Sequence, residues 1–278
     1  MNFLSNNGQR QPGELSADGN LKITDAENAL AIAMGNVTGS SVVHKFGKTR
    51  DFDSGDGYVT IWDGADDALY DGSSPMNYTY STSADIDSIS SSDNSDTEDI
   101  YIEGCDANYN LVTQTVTLTG QTRAALSTPL MRVWRMRNDG TSDLAGKVYC
   151  YVNGDITLGV PDTATDVRAI IHGDNNQTLM AVYTIPLGYT GYICCWYASL
   201  AGAVKDSIHD VQLRIRAQGG IFQLKRDFSL NATGTSHIPF TYDVPKEVSA
   251  KSDIELRVNT DTNSAAISGG FDIVLVAD

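Results

Sequence analysis

From residue 99 onward, apolar and polar residues alternate in short runs. "DIYIEGC" (99–105) alternates along its length. "LVTQTVTLTG" (111–120) sets Val112, Val116 and Leu118 on one face against Thr113, Thr115 and Thr117 on the other. A period of two with β-branched residues marks half-buried strands. Similar runs occupy 130–138, 146–152, 166–172, 178–186, 191–200, 210–218, 221–230, 237–245, 252–260 and 269–278, with turn signals such as "NDG", "VNGD", "HGDNN" and "NATG" between them. Gly219-Gly220 lies between two alternating runs and predicts a hairpin. No helical crossovers separate the runs, which excludes a doubly wound parallel sheet. The pattern predicts an all-β protein built as an antiparallel β-sandwich, with the jelly roll among the topologies open to it.

The pattern weakens before residue 99. Residues 1–22 are polar and read as an extended arm. "ITDAENALAIAMGN" (23–36) is the one good helix signal; Leu30 and Met34 stand one turn apart on its apolar face, as in a short docking helix. "KFGKTRDFDSGDGYVTIWDGADDALYDGSSP" (45–75) reads as loop around a short strand at 58–62. "STSADIDSISSSDNSDTED" (81–99) passes for linker, with Ile86 and Ile89 its apolar anchors. The organisation expected is an arm with a short helix at 1–44, a loop-rich β segment or small subdomain at 45–98, and the main sandwich at 99–278. The start has no basic stretch followed by an apolar one, and no apolar run is long enough to span a bilayer, so neither secretion nor a membrane is expected.

Charge narrows the partners. Lys plus Arg number 19 and Asp plus Glu 35, a net charge of −16. Such a surface repels nucleic acid and anionic membranes and suits cations or a basic partner. Positive charge is nevertheless concentrated in two places. "MRVWRMR" carries Arg132, Arg135 and Arg137, and the Gly219-Gly220 hairpin carries Arg214, Arg216, Lys225 and Arg226. Either these are long side chains laid over a solvated sheet face, or they form a basic stripe that meets an acidic neighbour, another copy included. With Leu30 and Met34 they are the interface candidates.

Candidate chemistry adds little. "DANYN" (106–110) spaces Asp106, Asn108 and Asn110 like the start of a calcium loop. That loop needs Gly at its sixth position and an acid at its twelfth, where Leu111 and Thr117 stand. A turn between strands fits better, with Tyr109 exposed at its tip. Asp51, Asp53, Asp56, Asp63 and Asp66 are the remaining Ca2+ candidates; no spacing among them matches a defined signature, and a solvated acidic loop is the plainer reading. Cys105, Cys150, Cys194 and Cys195 match no zinc spacing and read as free thiols in a reducing compartment. His44, His172, His209 and His237 form no metal motif, and neither a nucleophile elbow nor a P-loop appears. No enzymatic activity and no cofactor are expected. Thirteen Tyr and three Trp leave sugar stacking open, against the plainer reading of core packing.

Three segments have more character: "DIYIEGCDANYNLVTQTVTLTGQT", "NQTLMAVYTIPLGYTGYICCWYASL" and the closing "IPFTYDVPKEVSAKSDIELRVNTDTNSAAISGGFDIVLVAD". Together they resemble a group of virion structural proteins of tailed bacteriophages, frequent in marine and cyanobacterial podovirus-like and siphovirus-like genomes. The matching positions are Gly104, Asp106, Ala107, Asn108 and Tyr109, then Pro186, Gly188, Tyr189, Thr190 and Gly191, then Lys251, Ser252, Asp253 and Ile254. "KFGKTRDFDSGDGYVTIWDGADDALY" also resembles the group's amino-terminal segment, without the Pro that usually follows the first basic residues. The resemblance covers 45–278 in patches and rests on turns and strand starts. It implies a β-rich, capsid- or tail-associated virion protein, made in the host cytoplasm, with no catalytic residues to carry over. The leading expectation is a head decoration or cement protein, homotrimeric, bound to the major capsid protein. A tail, neck or fibre-base protein contacting host glycans and a free carbohydrate-binding module are the alternatives.

Overall fold

The protein, here a computed structural model, is described over residues 14–15, 21–22, 25–65, 77–202 and 206–278. A two-residue pair, β1 (Glu14–Leu15) with β2 (Leu21–Lys22), precedes helix α1 (Asp25–Ala33). The strands that follow are β3 (Ser40–Phe52), β4 (Val59–Thr60), β5 (Ile86–Ser91), β6 (Asp99–Cys105), β7 (Leu111–Thr117), β8 (Ala124–Leu130), β9 (Arg132–Asn138) and β10 (Val148–Val152). Then come β11 (Ile156–Thr157), β12 (Val160–Pro161), β13 (Val167–Ile171), β14 (Val182–Thr184), β15 (Tyr189–Gly202) and β16 (Ile208–Arg216). The chain closes with β17 (Gln223–Asn231), β18 (His237–Val248), β19 (Asp253–Thr260) and β20 (Ala265–Ala277).

Among the described residues the protein is all-β with one short α-helix, and the strands pair antiparallel, as the alternating pattern predicts. Four main sheets run β13-β10-β5-β8, β7-β6-β9, β14-β19-β16-β17 and β18-β15-β20-β3, with β4 added on β19. They enclose two large cores. One packs Val211, Leu213, Leu256 and Val258 against Ile193, Trp196, Phe271 and Ile273. The other gathers Ile86, Ile89, Ile100, Ile102, Val148 and Ile171. Two strands form the wall between them. On β9, Val133 and Met136 enter the second core and Trp134 the first; on β14, Val182 enters the second and Tyr183 the first. The protein is therefore a layered sandwich with more than two sheets.

Two strands lie where the pattern reads as loop or linker. β5 is buried along nearly its whole length, between β8 and β10. Its serines are satisfied inside: Ser90 Oγ donates to the Gly159 carbonyl at 2.8 Å, and Ser91 Oγ to Asp96 at 2.5 Å. β3 pairs along β20, and its buried face is made by Lys45, Gly47, Thr49 and Phe52. At Gly47 a Cβ would lie 2.3 Å from the Ile61 carbonyl oxygen, so only glycine lets these backbones approach. β3, β4 and β5 thus join sheets completed by later parts of the chain. Helix α1 forms within the segment expected, with Gly35 left-handed just beyond it; among its described side chains Ala31 is buried, while Leu30, on the face expected to dock, is exposed. No helix among the described residues is long and apolar enough to cross a membrane.

Candidate interaction site

The segments that carry the resemblance meet at one place. Lys251, left-handed at φ 64°, turns the chain into β19. Its backbone N–H donates to the Ile185 carbonyl at 2.7 Å, and the Ile185 N–H donates to Ser252 at 3.0 Å. The Leu187 N–H donates to the Tyr109 carbonyl at 2.8 Å. The "DANYN" turn, the "IPLGY" turn and the "KSDI" strand start, remote in sequence, are therefore joined by backbone hydrogen bonds.

At the centre of this junction lies Asp253, 2% exposed. Its Oδ1 accepts from Arg132 Nε at 3.0 Å and Thr184 Oγ1 at 2.6 Å; its Oδ2 accepts from Arg132 at 3.3 Å and Arg216 Nε at 2.7 Å. A buried carboxylate survives only with such partners. Arg132 also donates to the carbonyls of Ser81 and Met131. Burial opposes its charge, but Asp253 outweighs that and holds the guanidinium above its ordinary pKa. Beside the pair, Tyr80 donates to Glu255 Oε2 at 3.2 Å, and Arg257 to Glu255 Oε1 at 2.6 Å. Burial raises the Glu255 pKa, against the pull of Arg257.

A pocket of about 520 Å³ opens over this junction, lined by Tyr80, Tyr109, Arg132, Arg216 and Asp253, with exposed Ala107 and Gly219-Gly220 also on its wall. Arg216 lies 4.3 Å from the Tyr80 ring centre and 4.6 Å from that of Phe222. Lys251 Nζ lies 5.7 Å from the ring of Tyr109. Two guanidinium groups against one carboxylate leave net positive charge in a chain of net charge −16. The arrangement holds cations and aromatic faces rigidly in place, which suits anchoring an anionic or planar group from a neighbour.

The sequence-based candidates scatter around this junction. Arg132 is a correction: it is 4% exposed and ties strands together, because Asp253 compensates its charge inside. Arg135 is half-buried. Arg137 pairs with Asp139 at 2.7 Å over Tyr101. Arg214 donates to Gln212 at 2.8 Å and lies over Tyr58. Lys225 donates to Gln223 at 2.7 Å, and Arg226 lies 4.1 Å from the centre of Phe240. Leu30 and Met34 are 61% and 64% exposed. The Gly219-Gly220 hairpin forms between β16 and β17, with Gly219 left-handed.

The "DANYN" turn is local, as expected. Asp106 accepts from the backbone of Asn108 at 2.8 Å and of Asn110 at 2.9 Å. Tyr109 departs from expectation: it is 8% exposed, folded inward at φ 67° against the first core. Among the acidic candidates, Asp53 Oδ1 accepts from the Ser264 N–H, Asp56 Oδ2 accepts from the Asp53 N–H, and Asp63 is buried near Arg50. Asp51 takes part in contacts of its own, and Asp66 lies outside the described residues. Among the described residues no three His, Cys, Asp or Glu side chains gather as a metal ion requires. The cysteines are free thiols; burial pushes Cys105 and Cys150 up to about 12.

Sequence reasoning missed Tyr80, Ser81 and Glu255. A signal existed for the last: Asp253, Glu255 and Arg257 fall at every second position of β19, a charged face on a central strand.

No protein-family model and no curated protein matches the chain. Among solved structures, the VP2 subviral particle of infectious bursal disease virus aligns over 86% of this chain and 68% of its own, at 10% identity and a TM-score of 0.21. A structure of the Gt strain of that virus aligns over 90% and 78%, at 11% identity and a TM-score of 0.22. At these TM-scores the alignments carry no argument.

Proposed function

We propose that this chain is a structural component of a tailed-phage virion, a head decoration or cement protein that binds the assembled shell. The observation that carries the reading is the convergence of the three resembling segments on one cross-bonded junction at Asp253. The residues shared with the virion proteins are spent on holding a rigid scaffold, as a subunit built to assemble requires. The partners proposed are the major capsid protein and further copies of this chain, as a homotrimer. A subunit that binds across joints of the shell, and not to free capsid protein, favours the assembled state by mass action. Quantitative mass spectrometry of purified virions tests this. Decoration predicts one copy per capsid subunit or a simple fraction such as one third; a handful per particle would move the chain to the tail or neck.

A further inference from the structure

The turn between β11 and β12 sets Leu158 where its own fold gives it no reward. Thr157 pairs with Val160, so Leu158-Gly159 is a two-residue hairpin loop. Both residues have positive φ, 49° and 77°. Asn or Gly is the residue such a loop favours; leucine is strained there. Leu158 is also 70% exposed. The turn is held firmly: the Gly159 carbonyl accepts from Ser90, and a Cβ on Gly159 would lie 1.8 Å from the Ser91 carbonyl oxygen. Exposed Asp155 and Asp162 flank it, with Arg123 hydrogen-bonded to Asn153 and Gly154 nearby. A strained apolar residue on a well-held turn, flanked by two aspartates, has the form of a contact knob.

A complementary socket lies on the other core's sheets. β17 and β18 are the terminal strands of their sheets, and the rings of Phe228 and Phe240 meet between them, tilted, at 5.6 Å. Every residue of 223–227 and 243–247 is exposed, on both strand faces. Between these strands runs a groove of about 230 Å³ lined by Ile215, Ile221 and Val248 with Lys225, Lys246 and Glu247. Ile221, 80% exposed, stands at its rim. The groove is mixed: Ile215, Ile221 and Val248 are set among Gln223, Ser249 and Ser252, with two lysines against one glutamate, and it is large enough for a branched aliphatic side chain.

We propose that copies of this chain join head to tail, the Leu158 turn of one seated in the β17–β18 groove of the next. Asp155 and Asp162 then face Lys225 and Lys246. Such a heterologous contact closes into a ring or continues as a filament. It deepens the assembly reading above, yet it is measured on the purified full chain without any virion, so the two can fail separately.

The experiment is native mass spectrometry and light scattering across protein and salt concentration. Wild-type chain should associate, more weakly as salt rises. Leu158→Asn places the favoured residue in the turn, so the thermal midpoint should hold or rise while association falls about tenfold or more. Lys225→Glu with Lys246→Glu should weaken it similarly, and mixing that variant with Asp155→Lys/Asp162→Lys chain should restore it. A wild type that stays monomeric at every concentration, or association untouched by both the Leu158 and the lysine variants, overturns the proposal.

Discussion

Lys45 shows how far a single residue can depart from its composition-based reading. Counted as one of few cations in an acidic chain, it lies 7% exposed on β3, with its ammonium nitrogen on the Trp134 carbonyl. Burial lowers its pKa to about 7, against the pull of Glu103. A lysine pKa depressed on folding costs stability below its unfolded value, and the cost is complete once pH falls below the folded one. Between pH 7 and about 10.5 the Lys45 contribution should therefore improve as pH rises. Lys45→Met should be more stable than wild type by roughly a few kcal/mol near pH 6, with the gap narrowing toward pH 9. Denaturant unfolding at both pH values checks this; a gap independent of pH would contradict it. Tyr109 makes the same point from the other side. Its neighbours Asp106, Asn108 and Asn110 were legible as a turn from their own chemistry, but its inward course depends on Leu187, some eighty residues away, and no local pattern carries that.

At the scale of elements, strands whose apolar residues alternate were legible, and strands whose buried face is polar were not. β6 occupies the run expected of it, 99–105. β5 was hidden because its inward groups include Ser88, Ser90 and Ser91, whose hydroxyls are satisfied by Asp87, by Tyr151 and the Gly159 carbonyl, and by Asp96. β3 was hidden because Lys45, Gly47 and Thr49 form its inward face. Arg132 misled for a related reason: a strand-borne arginine reads as solvent-facing until its carboxylate partner, 121 residues later, is known. Asp253 ties β9, β14, β16 and β19 together through four hydrogen bonds. Asp253→Ala leaves Arg132 buried without its anion and should cost about 3–5 kcal/mol of stability. Adding Arg132→Met should recover part of that loss. Unfolding curves for the single and double variants test it; a single variant as stable as wild type would show that the pair holds nothing.

The whole molecule is a layered, all-β body with net charge −16, a rigid cationic junction and two exposed features, the Leu158 turn and the β17–β18 groove, that its own fold leaves uncovered. The alternation of residues made the fold class legible. The meeting of three distant segments at Asp253 was not, because it is set by sheet order and not by spacing along the chain. Rigidity inside and unsatisfied surface outside are what a shell-binding subunit needs: the first limits the entropy lost on docking, and the second supplies the contacts. The most direct measurement is therefore binding to the shell itself. Purified chain would be added to tailed-phage capsid shells of the kind proposed as its partner, assembled without it, and the mixture sedimented and heated. The account predicts saturable co-sedimentation at one copy per capsid subunit or a simple fraction of it, and a higher temperature of shell disassembly. Shells that sediment bare and come apart at an unchanged temperature would contradict it.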